Sequence, residues 1–338
     1  MTTEDYLKIL TEKKQQLDAL RPLPVELEKS LEDWFRTELT YSSNAIEGNT
    51  LTRLETAEIL QRGIAAAICG KSLKDQLEAI NHAKALEFIT KLATQRKSHQ
   101  FITQEDILAI HKIILTGIND DWAGKLRQTQ VFIQGADVEF PSPNKVPYLM
   151  TEFIQWLESQ QGVHPAMVAA QAHFKLVSIH PFVDGNGRTA RLLMNLILII
   201  NGYLKAVVRN EERPEYLNAV YLGQAKNNLT PFHTLMLSSM ERSLDAYLRA
   251  VKGQPVFTKP KTGKLLKIGE LALKTNVSVP TLRFWTKEGL LSVASYTTGG
   301  YQLYDPMMID RAAQIRQLQS QERLTLAEIK LELTSQEE

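Results

Sequence analysis

Residues 180–191 read HPFVDGNGRTAR and run directly into the apolar stretch 192–200. A glycine-containing loop followed at once by an apolar stretch is typical of a loop that leads into the first turn of a helix. Gly185 and Gly187 let a ligand approach the backbone closely. The free N–H groups of a helix N-terminus and the positive end of the helix dipole favour an anion there. The stretch is therefore typical of an anion site at the start of a helix.

Four charged or titratable side chains flank those glycines. Arg188 and Arg191 lie three residues apart, near one helical face, where both guanidinium groups can fork onto phosphate oxygens. Asp184 can hold a divalent metal that bridges phosphates, and His180 has an ordinary pKa suited to proton abstraction near neutrality. These residues suggest phosphoryl or nucleotidyl transfer. The alternative is that the loop only caps the following helix and that His180 is a structural histidine.

Composition excludes several other classes of protein. The chain has 338 residues, of which 43% are hydrophobic and 23% charged, values of an ordinary globular protein with two or three domains. A net charge of +1 provides no global attraction to nucleic acid or to an anionic membrane. The first residues lack the apolar core of a secretory signal, and the stretch 192–200 is too short to span a bilayer. We expect a cytoplasmic protein without a membrane partner, although export into a host cell stays open.

The periodicity of apolar residues predicts a mainly α fold. Only residues 130–140, which are β-branched and aromatic around a Gly-Ala-Asp turn, indicate a small β-hairpin. The composition then changes to that of a linker. The predicted organisation is a helical region at 1–100, a core at 101–250, a linker at 251–264 and a C-terminal unit at 265–338.

The central motif matches, at every specified position, the signature His-Pro-Phe-x-Asp/Glu-Gly-Asn-Gly/Lys-Arg-x-x-Arg of the Fic family. The resemblance extends over about residues 35–250, and residues 124–131 resemble the family's approach to its β-hairpin flap. It implies a Fic helical bundle with that flap, and a Mg²⁺-dependent transfer of AMP from ATP to a Ser, Thr or Tyr hydroxyl of a target protein. UMP or GMP as the transferred group is not excluded by the motif.

The resemblance also implies roles for single residues. His180 would be the general base, and Asn186 would polarise the centre at which charge develops. Asp184 would bind Mg²⁺. The α-phosphate would lie against Gly185, Asn186 and Gly187, and the other phosphates against Arg188 and Arg191. The flap would pair with the target segment through Val131, Phe132, Ile133, Gln134 and Gly135. Val131 would also touch the adenine, with further adenine contacts from residues 216–228.

A second short pattern lies far upstream of the motif. Residues 43–48 read SNAIEG and resemble the family's inhibitory pattern Ser/Thr-x-x-x-Glu-Gly/Asn, on a helix expected at about residues 36–48. Ser43, Glu47 and Gly48 would carry it, with Glu47 forming a buried bidentate pair with Arg191 that blocks the γ-phosphate position. The same glutamate could instead align a water that removes AMP from a modified protein. In isolation, the pattern also suits a capped helix that ends at a glycine.

Residues 265–338 resemble the winged helix-turn-helix of MerR-type regulators. Between Lys259 and Leu291, seven basic residues stand against Glu270 and Glu288, a local net charge of +5 that suits phosphate contacts. Gln302 departs from the family, which usually has Arg there. Both duplex DNA binding and protein docking remain open, as does a regulator in which the Fic core only senses ATP or AMP. The candidate DNA contacts are Ser278, Thr281, Arg283, Lys287 and Tyr301. A homodimer follows from the resemblance alone.

Overall fold

The structure is a computed structural model that describes residues 2–63, 68–132, 138–254, 265–293, 295–296, 301–305, 307–321, 325 and 328–329. The chain divides at residue 256 into two compact units. Among the described residues, no helix is long and apolar enough to cross a membrane.

The first unit is a bundle of α-helices. Their bounds are α1 Thr3–Ala19, α2 Val25–Ile46, α3 Arg53–Arg62, α4 Leu73–Gln95, α5 Gln104–Leu115, α6 Val146–Glu158, α7 Pro165–Ile179, α8 Asn186–Ile200, α9 Arg213–Lys226 and α10 Thr230–Val251, with 3₁₀ turns at His99–Phe101, Pro143–Lys145 and Asn210–Glu212. Threonine caps with an acidic residue three positions later begin α1, α3 and α5, which satisfies the first free N–H groups of each helix.

Helix α8 is the centre of this unit. Its residues 188–198 are all buried, because α7, α4 and α5 pack around it. The same hydrophobic core continues to Leu10 and Leu17 of α1 and to Met236 of α10. The predicted boundary at residue 100 is therefore wrong as a structural boundary: the N-terminal region and the core share one set of buried side chains.

Two local expectations also change. Helix α2 begins at Val25 rather than near residue 36, and it ends at Ile46, so that Glu47 is its C-cap residue. The predicted hairpin lies partly outside the described residues, since 133–137 are not among them. Its described flanks, 130–132 and 138–140, form no strand. Side chains hold these flanks together, with Gln130 donating to the Phe140 carbonyl at 3.0 Å.

The second unit has the predicted winged helix-turn-helix architecture. It contains β1 Leu266–Lys267, α11 Ile268–Thr275, α12 Val279–Lys287, β2 Ser295–Tyr296, β3 Gln302–Tyr304 and α13 Met307–Gln321. The strands form an antiparallel sheet in the order β1-β3-β2. Leu271, Leu282, Trp285 and Tyr304 are buried in a core of their own. The predicted linker lies, from residue 255 to residue 264, outside the described part of the chain.

Candidate active site

His180 ends α7 and begins the motif loop. It adopts a left-handed conformation, with φ 51° and ψ 58°, which is uncommon for a residue with a side chain. The imidazole Nδ1 lies 3.2 Å from the carbonyl oxygen of Val177, and the ring packs against Phe140 with centroids 4.1 Å apart. If Nδ1 carries the proton and donates to Val177, Nε2 is left as a proton acceptor.

The electrostatics of the loop keep this imidazole neutral. Burial, the largest cause, lowers the pKa of His180 to about 4, and the charge of Arg127 acts in the same direction. The Val177 carbonyl and the carboxylates of Glu47 and Asp184 oppose the shift without cancelling it. A neutral imidazole near pH 7 can accept a proton.

The start of α8 has the backbone expected of an anion site. Gly185 precedes the helix with φ 77°, and a Cβ there would lie 3.3 Å from Ile114 and 3.4 Å from His111. The first helical turn, from Asn186, presents backbone N–H groups to the loop.

The Asn186 side chain bonds the loop itself in this structure. Its Oδ1 accepts from the Phe182 N–H and its Nδ2 donates to the Phe182 carbonyl, both at 2.9 Å. The amide is buried and joins the two ends of the loop segment 182–186. The backbone N–H of Asn186 remains available to the expected α-phosphate through its place in the first turn.

Asp184 is half exposed at the mouth of the loop. Its Oδ1 accepts from the Gly185 N–H at 2.5 Å and from Arg188 at 3.2 Å. The described residues contain no group of three or more His, Cys, Asp or Glu side chains that could hold a metal. A lone carboxylate fits Mg²⁺ that arrives with phosphate oxygens and water as its other ligands, and it does not fit a metal held by protein alone.

His111, on α5, connects the motif loop to Gly124. Its Nδ1 accepts from the Gly124 N–H and its Nε2 donates to the Asp184 carbonyl, both at 3.0 Å, while the ring stacks on Phe182 at 3.6 Å. Burial lowers the pKa of His111 to about 4, consistent with this neutral tautomer. No motif in the sequence links His111 to the loop, because 73 residues separate it from Asp184.

Arg191 is buried and is held by the inhibitory pattern. Its Nε donates to Ser43 Oγ at 2.9 Å, and its Nη2 donates to the Ser43 carbonyl at 2.8 Å and to Glu47 Oε1 at 2.6 Å. Nη1 reaches the Tyr216 hydroxyl at 3.4 Å. Burial alone would lower the pKa of Arg191, but the Glu47 carboxylate and Tyr216 outweigh it and raise that pKa.

Glu47 differs in one respect from the expectation. The expected buried bidentate pair is instead a single-oxygen contact, and the Glu47 side chain is 36% exposed while that of Arg191 is 5% exposed. The carboxylate lies over the first turn of α8, since a Cβ on Gly187 would stand 2.2 Å from Glu47 Oε1. The glutamate thus occupies the approach to the expected anion site.

Arg188 has an acidic partner that the sequence did not indicate. Its Nη1 lies 2.9 Å from Oε1 of Glu78 on α4, and both side chains are buried. The other Glu78 oxygen accepts from Asn49 at 2.9 Å, just beyond α2. Nη1 forms an ion pair with Glu78 but no hydrogen bond, and the Arg188 Nε has no hydrogen-bond partner among the described residues. That orphaned donor is consistent with a phosphate oxygen as its missing acceptor.

The expected flap and adenine contacts are only partly described. Val131 is half-buried and Phe132 is 79% exposed, whereas Ile133, Gln134 and Gly135 lie outside the described residues. The segment 216–228 begins inside α9, where Tyr216 faces Arg191. On the same helix, Gln224 reaches Ser178 of α7 at 3.3 Å. The segment therefore lies beside the motif, although no adenine contact follows from it.

The candidate DNA contacts of the second unit divide into two groups. Ser278 caps α12 and shares a hydrogen bond of 2.6 Å with the Thr281 hydroxyl, so both hydroxyls serve the helix start. Arg283 and Lys287 are exposed one turn apart on α12, and Tyr301 is 73% exposed. Gln302, the departure noted above, accepts from the Tyr304 hydroxyl at 2.8 Å and supports the wing.

Two family models match the chain. One, described as the Fic/DOC family, matches residues 101–198, and the other, the MerR HTH family regulatory protein, matches residues 266–336. The chain is 35% identical over 254 residues to a protein adenylyltransferase Fic from Drosophila grimshawi, covering 75% of this chain and 51% of that protein. A protein of the same name from Nematostella vectensis is 35% identical over 256 residues, covering 75% and 58%. The chain thus spans about half the length of the curated relatives it matches.

Solved structures share the fold of the first unit. A segment of Fic-1 from C. elegans is 32% identical with a TM-score of 0.66, covering 74% of this chain and 73% of that one. A Fic domain containing signaling protein from Bacteroides thetaiotaomicron is 31% identical with a TM-score of 0.66, covering 75% and 99%.

Proposed function

This chain belongs to the Fic family, and we propose that it moves AMP from ATP to a Ser, Thr or Tyr hydroxyl of a target protein. The observation that carries the proposal is the meeting of a neutral His180, Asp184 and the N-terminus of α8 within one short loop. The curated relatives named protein adenylyltransferase support the same reaction.

His180 is the base in this proposal. The target hydroxyl loses its proton to Nε2, because Nδ1 faces the Val177 carbonyl. The hydroxyl oxygen then forms a bond to the α-phosphorus, and the bond from that phosphorus to the oxygen bridging the β-phosphate breaks. Pyrophosphate leaves with that oxygen, and AMP remains on the target.

The start of α8 and its two arginines hold the phosphates. Backbone N–H groups of the first turn stabilise the charge that develops on the α-phosphate oxygens. Arg188 and Arg191 bind the outer phosphates through charge-assisted hydrogen bonds. Bound Mg²⁺ would neutralise part of the phosphate charge, with Asp184 as its protein ligand.

We propose that Glu47 inhibits this reaction. Its carboxylate bonds Arg191 at 2.6 Å and lies against Gly187, so a phosphate must displace it to reach the same guanidinium. Before it leaves, the carboxylate repels the phosphate charge. The same position, with 36% of the Glu47 side chain exposed, also supports a second candidate reaction in which Glu47 aligns a water to hydrolyse AMP from a modified protein.

The test uses ATP labelled on the α-phosphate, Mg²⁺, and lysate proteins as acceptors. Three chains are compared: wild type, Glu47→Gly, and Glu47→Gly/His180→Ala. Labelling by Glu47→Gly alone is the expected result. If none of the three labels protein although each binds ATP, the transferase proposal fails. Wild type is then tested for release of AMP from a labelled protein, and the absence of release leaves the ATP- or AMP-sensing regulator.

For the second unit we propose duplex DNA binding, on the strength of the MerR match and the exposed Arg283 and Lys287. In the full chain, Arg283→Ala and Lys287→Ala should each remove one phosphate contact. Each should therefore lower, by roughly 1, the magnitude of the slope of the logarithm of the DNA-binding constant against the logarithm of the salt concentration. The matched control is Lys252→Ala, which lies in the first unit at the C-cap of α10. No retarded migration of DNA at low salt would favour protein docking by this unit instead.

A further inference from the structure

Within the part of the chain that the structure describes, Arg127 is a buried cation without a carboxylate partner. Arg127 is 2% exposed, and no Asp or Glu among the described residues lies within ion-pair distance of its guanidinium. Burial accordingly lowers the pKa of Arg127, with no acidic group to oppose the shift. A buried, unpaired charge costs folding free energy. The backbone carbonyls that the guanidinium bonds compensate this cost.

The donors of Arg127 bond backbone carbonyls from three places in the chain. Nε donates to the His180 carbonyl at 2.7 Å, Nη1 to that of Thr129 at 3.0 Å and Nη2 to that of Pro141 at 2.5 Å. Its own backbone N–H donates to the Pro181 carbonyl at 2.9 Å. One guanidinium thus joins His180 to both sides of the segment 129–141.

Neighbouring contacts support the same junction. The Phe140 ring lies on the His180 imidazole, and Gln130 bonds the Phe140 carbonyl. Gly124 positions the approach to Arg127, because a Cβ there would stand 3.0 Å from Lys112 Cβ and 3.1 Å from the Leu108 carbonyl oxygen. A planar, forked donor can hold three carbonyls in fixed directions, whereas the ammonium of lysine cannot.

We propose that Arg127 is a positioning residue that fixes His180 and the base of the segment 129–141 in one register. The inference rests on the proposed function and on the expectation, from the family resemblance, that residues 131–135 pair with the target segment. In this proposal Arg127 acts through the carbonyls of His180, Thr129 and Pro141. It sets the distance between His180 and the base of the segment 129–141. A misplacement of about 1 Å between reacting groups costs on the order of a hundredfold in rate.

The test is made in the Glu47→Gly chain with Arg127→Lys, which keeps the charge and loses the fork. The matched control is Arg242→Lys, a half-buried arginine of α10 that pairs with Glu212. Arg127→Lys should lower the rate of protein labelling about tenfold to a hundredfold, with the dissociation constant for Mg-ATP within about twofold of its parent. Arg242→Lys should change neither. Unchanged labelling, or an equal loss of ATP binding, would overturn the inference.

A second measurement does not depend on catalysis. Hydrogen exchange of peptides covering 138–142 and 176–182 should become faster in Arg127→Lys and stay unchanged in Arg242→Lys. Unchanged exchange in both segments would overturn the positioning role. If the Glu47→Gly parent fails to label protein, the proposed function fails, while the exchange measurement still decides whether Arg127 joins these segments.

Discussion

The carboxylate of Glu47 lies against the Cα of Gly187, so closely that a Cβ at that glycine would stand 2.2 Å from Glu47 Oε1. The same carboxylate bonds Arg191. One side chain at the end of α2 therefore covers the first turn of α8 and also occupies the arginine that a phosphate needs. Competition for Arg191 and for this space would give the inhibition that we propose a direct physical cause.

Loss of the Ser43 hydroxyl should weaken the inhibition without touching Glu47. Ser43 Oγ accepts from Arg191 Nε at 2.9 Å, and a hydrogen bond to a charged group contributes about 1.5–3 kcal/mol. Ser43→Ala should therefore label protein at least about tenfold faster than wild type but more slowly than Glu47→Gly. The control is Ser42→Ala, whose hydroxyl bonds Glu38 on the same helix. Equal labelling by the two serine variants would contradict this role of Ser43.

The rate of protein labelling by Glu47→Gly should show no titration of a histidine near pH 7. The pKa of His180 is lowered to about 4 by burial, and Glu47 is one of the groups that raise it, so removing Glu47 lowers the pKa further. The base stays neutral and active as the pH falls from 8 to 6. A histidine with an ordinary pKa of about 6.5 would lose about fourfold in rate over that interval. The measurement compares initial rates of labelling at saturating Mg-ATP. A fourfold fall in that rate centred near pH 6.5 would show that His180 does not stay neutral over this interval.

Glu78→Gln should destabilise the first unit. The change removes the negative charge 2.9 Å from the buried Arg188 and leaves that cation with Asp184 as its acidic contact. Breaking a buried pair on one side costs about 3 kcal/mol or more, and less where a second acid remains. We expect a loss of up to about 3 kcal/mol in the free energy of unfolding, measured by urea denaturation followed by circular dichroism.

The matched control for that measurement is Glu87→Gln. Glu87 is on the same helix, but its side chain is 62% exposed and that of its partner Arg36 is 36% exposed. An exposed pair contributes at most about 1 kcal/mol, so this variant should unfold close to wild type. Equal losses from Glu78→Gln and Glu87→Gln would show that the Glu78–Arg188 pair contributes no more than an exposed one.

Local patterns were enough to locate much of the site. The motif 180–191 predicted a loop followed by a helix N-terminus, because glycine spacing and the following apolar run are properties of a single segment. The link between Ser43, Glu47 and Arg191 was expected from the family resemblance. The four-residue spacing of Ser43 and Glu47 places them on one helical face, from which both reach the same guanidinium.

Side-chain partners from distant segments could not be read in the same way. Glu78 and Arg188 are separated by 110 residues, and Arg127 joins carbonyls of Thr129, Pro141 and His180. No local pattern pairs these residues with one another, because only the packing of segments far apart in sequence brings them together. The bond between the Asn186 amide and the Phe182 backbone likewise depends on the conformation of the folded loop.

The sequence by itself determined the mainly helical class, the separate C-terminal unit and the loop that carries His180, since each depends on composition, periodicity or spacing along the chain. The tertiary structure decided which charges are paired, which histidines are neutral and where Glu47 lies. Those properties depend on burial and on distances of about 3 Å between groups far apart in sequence, and burial changes the free energy of a charge more than any local pattern does.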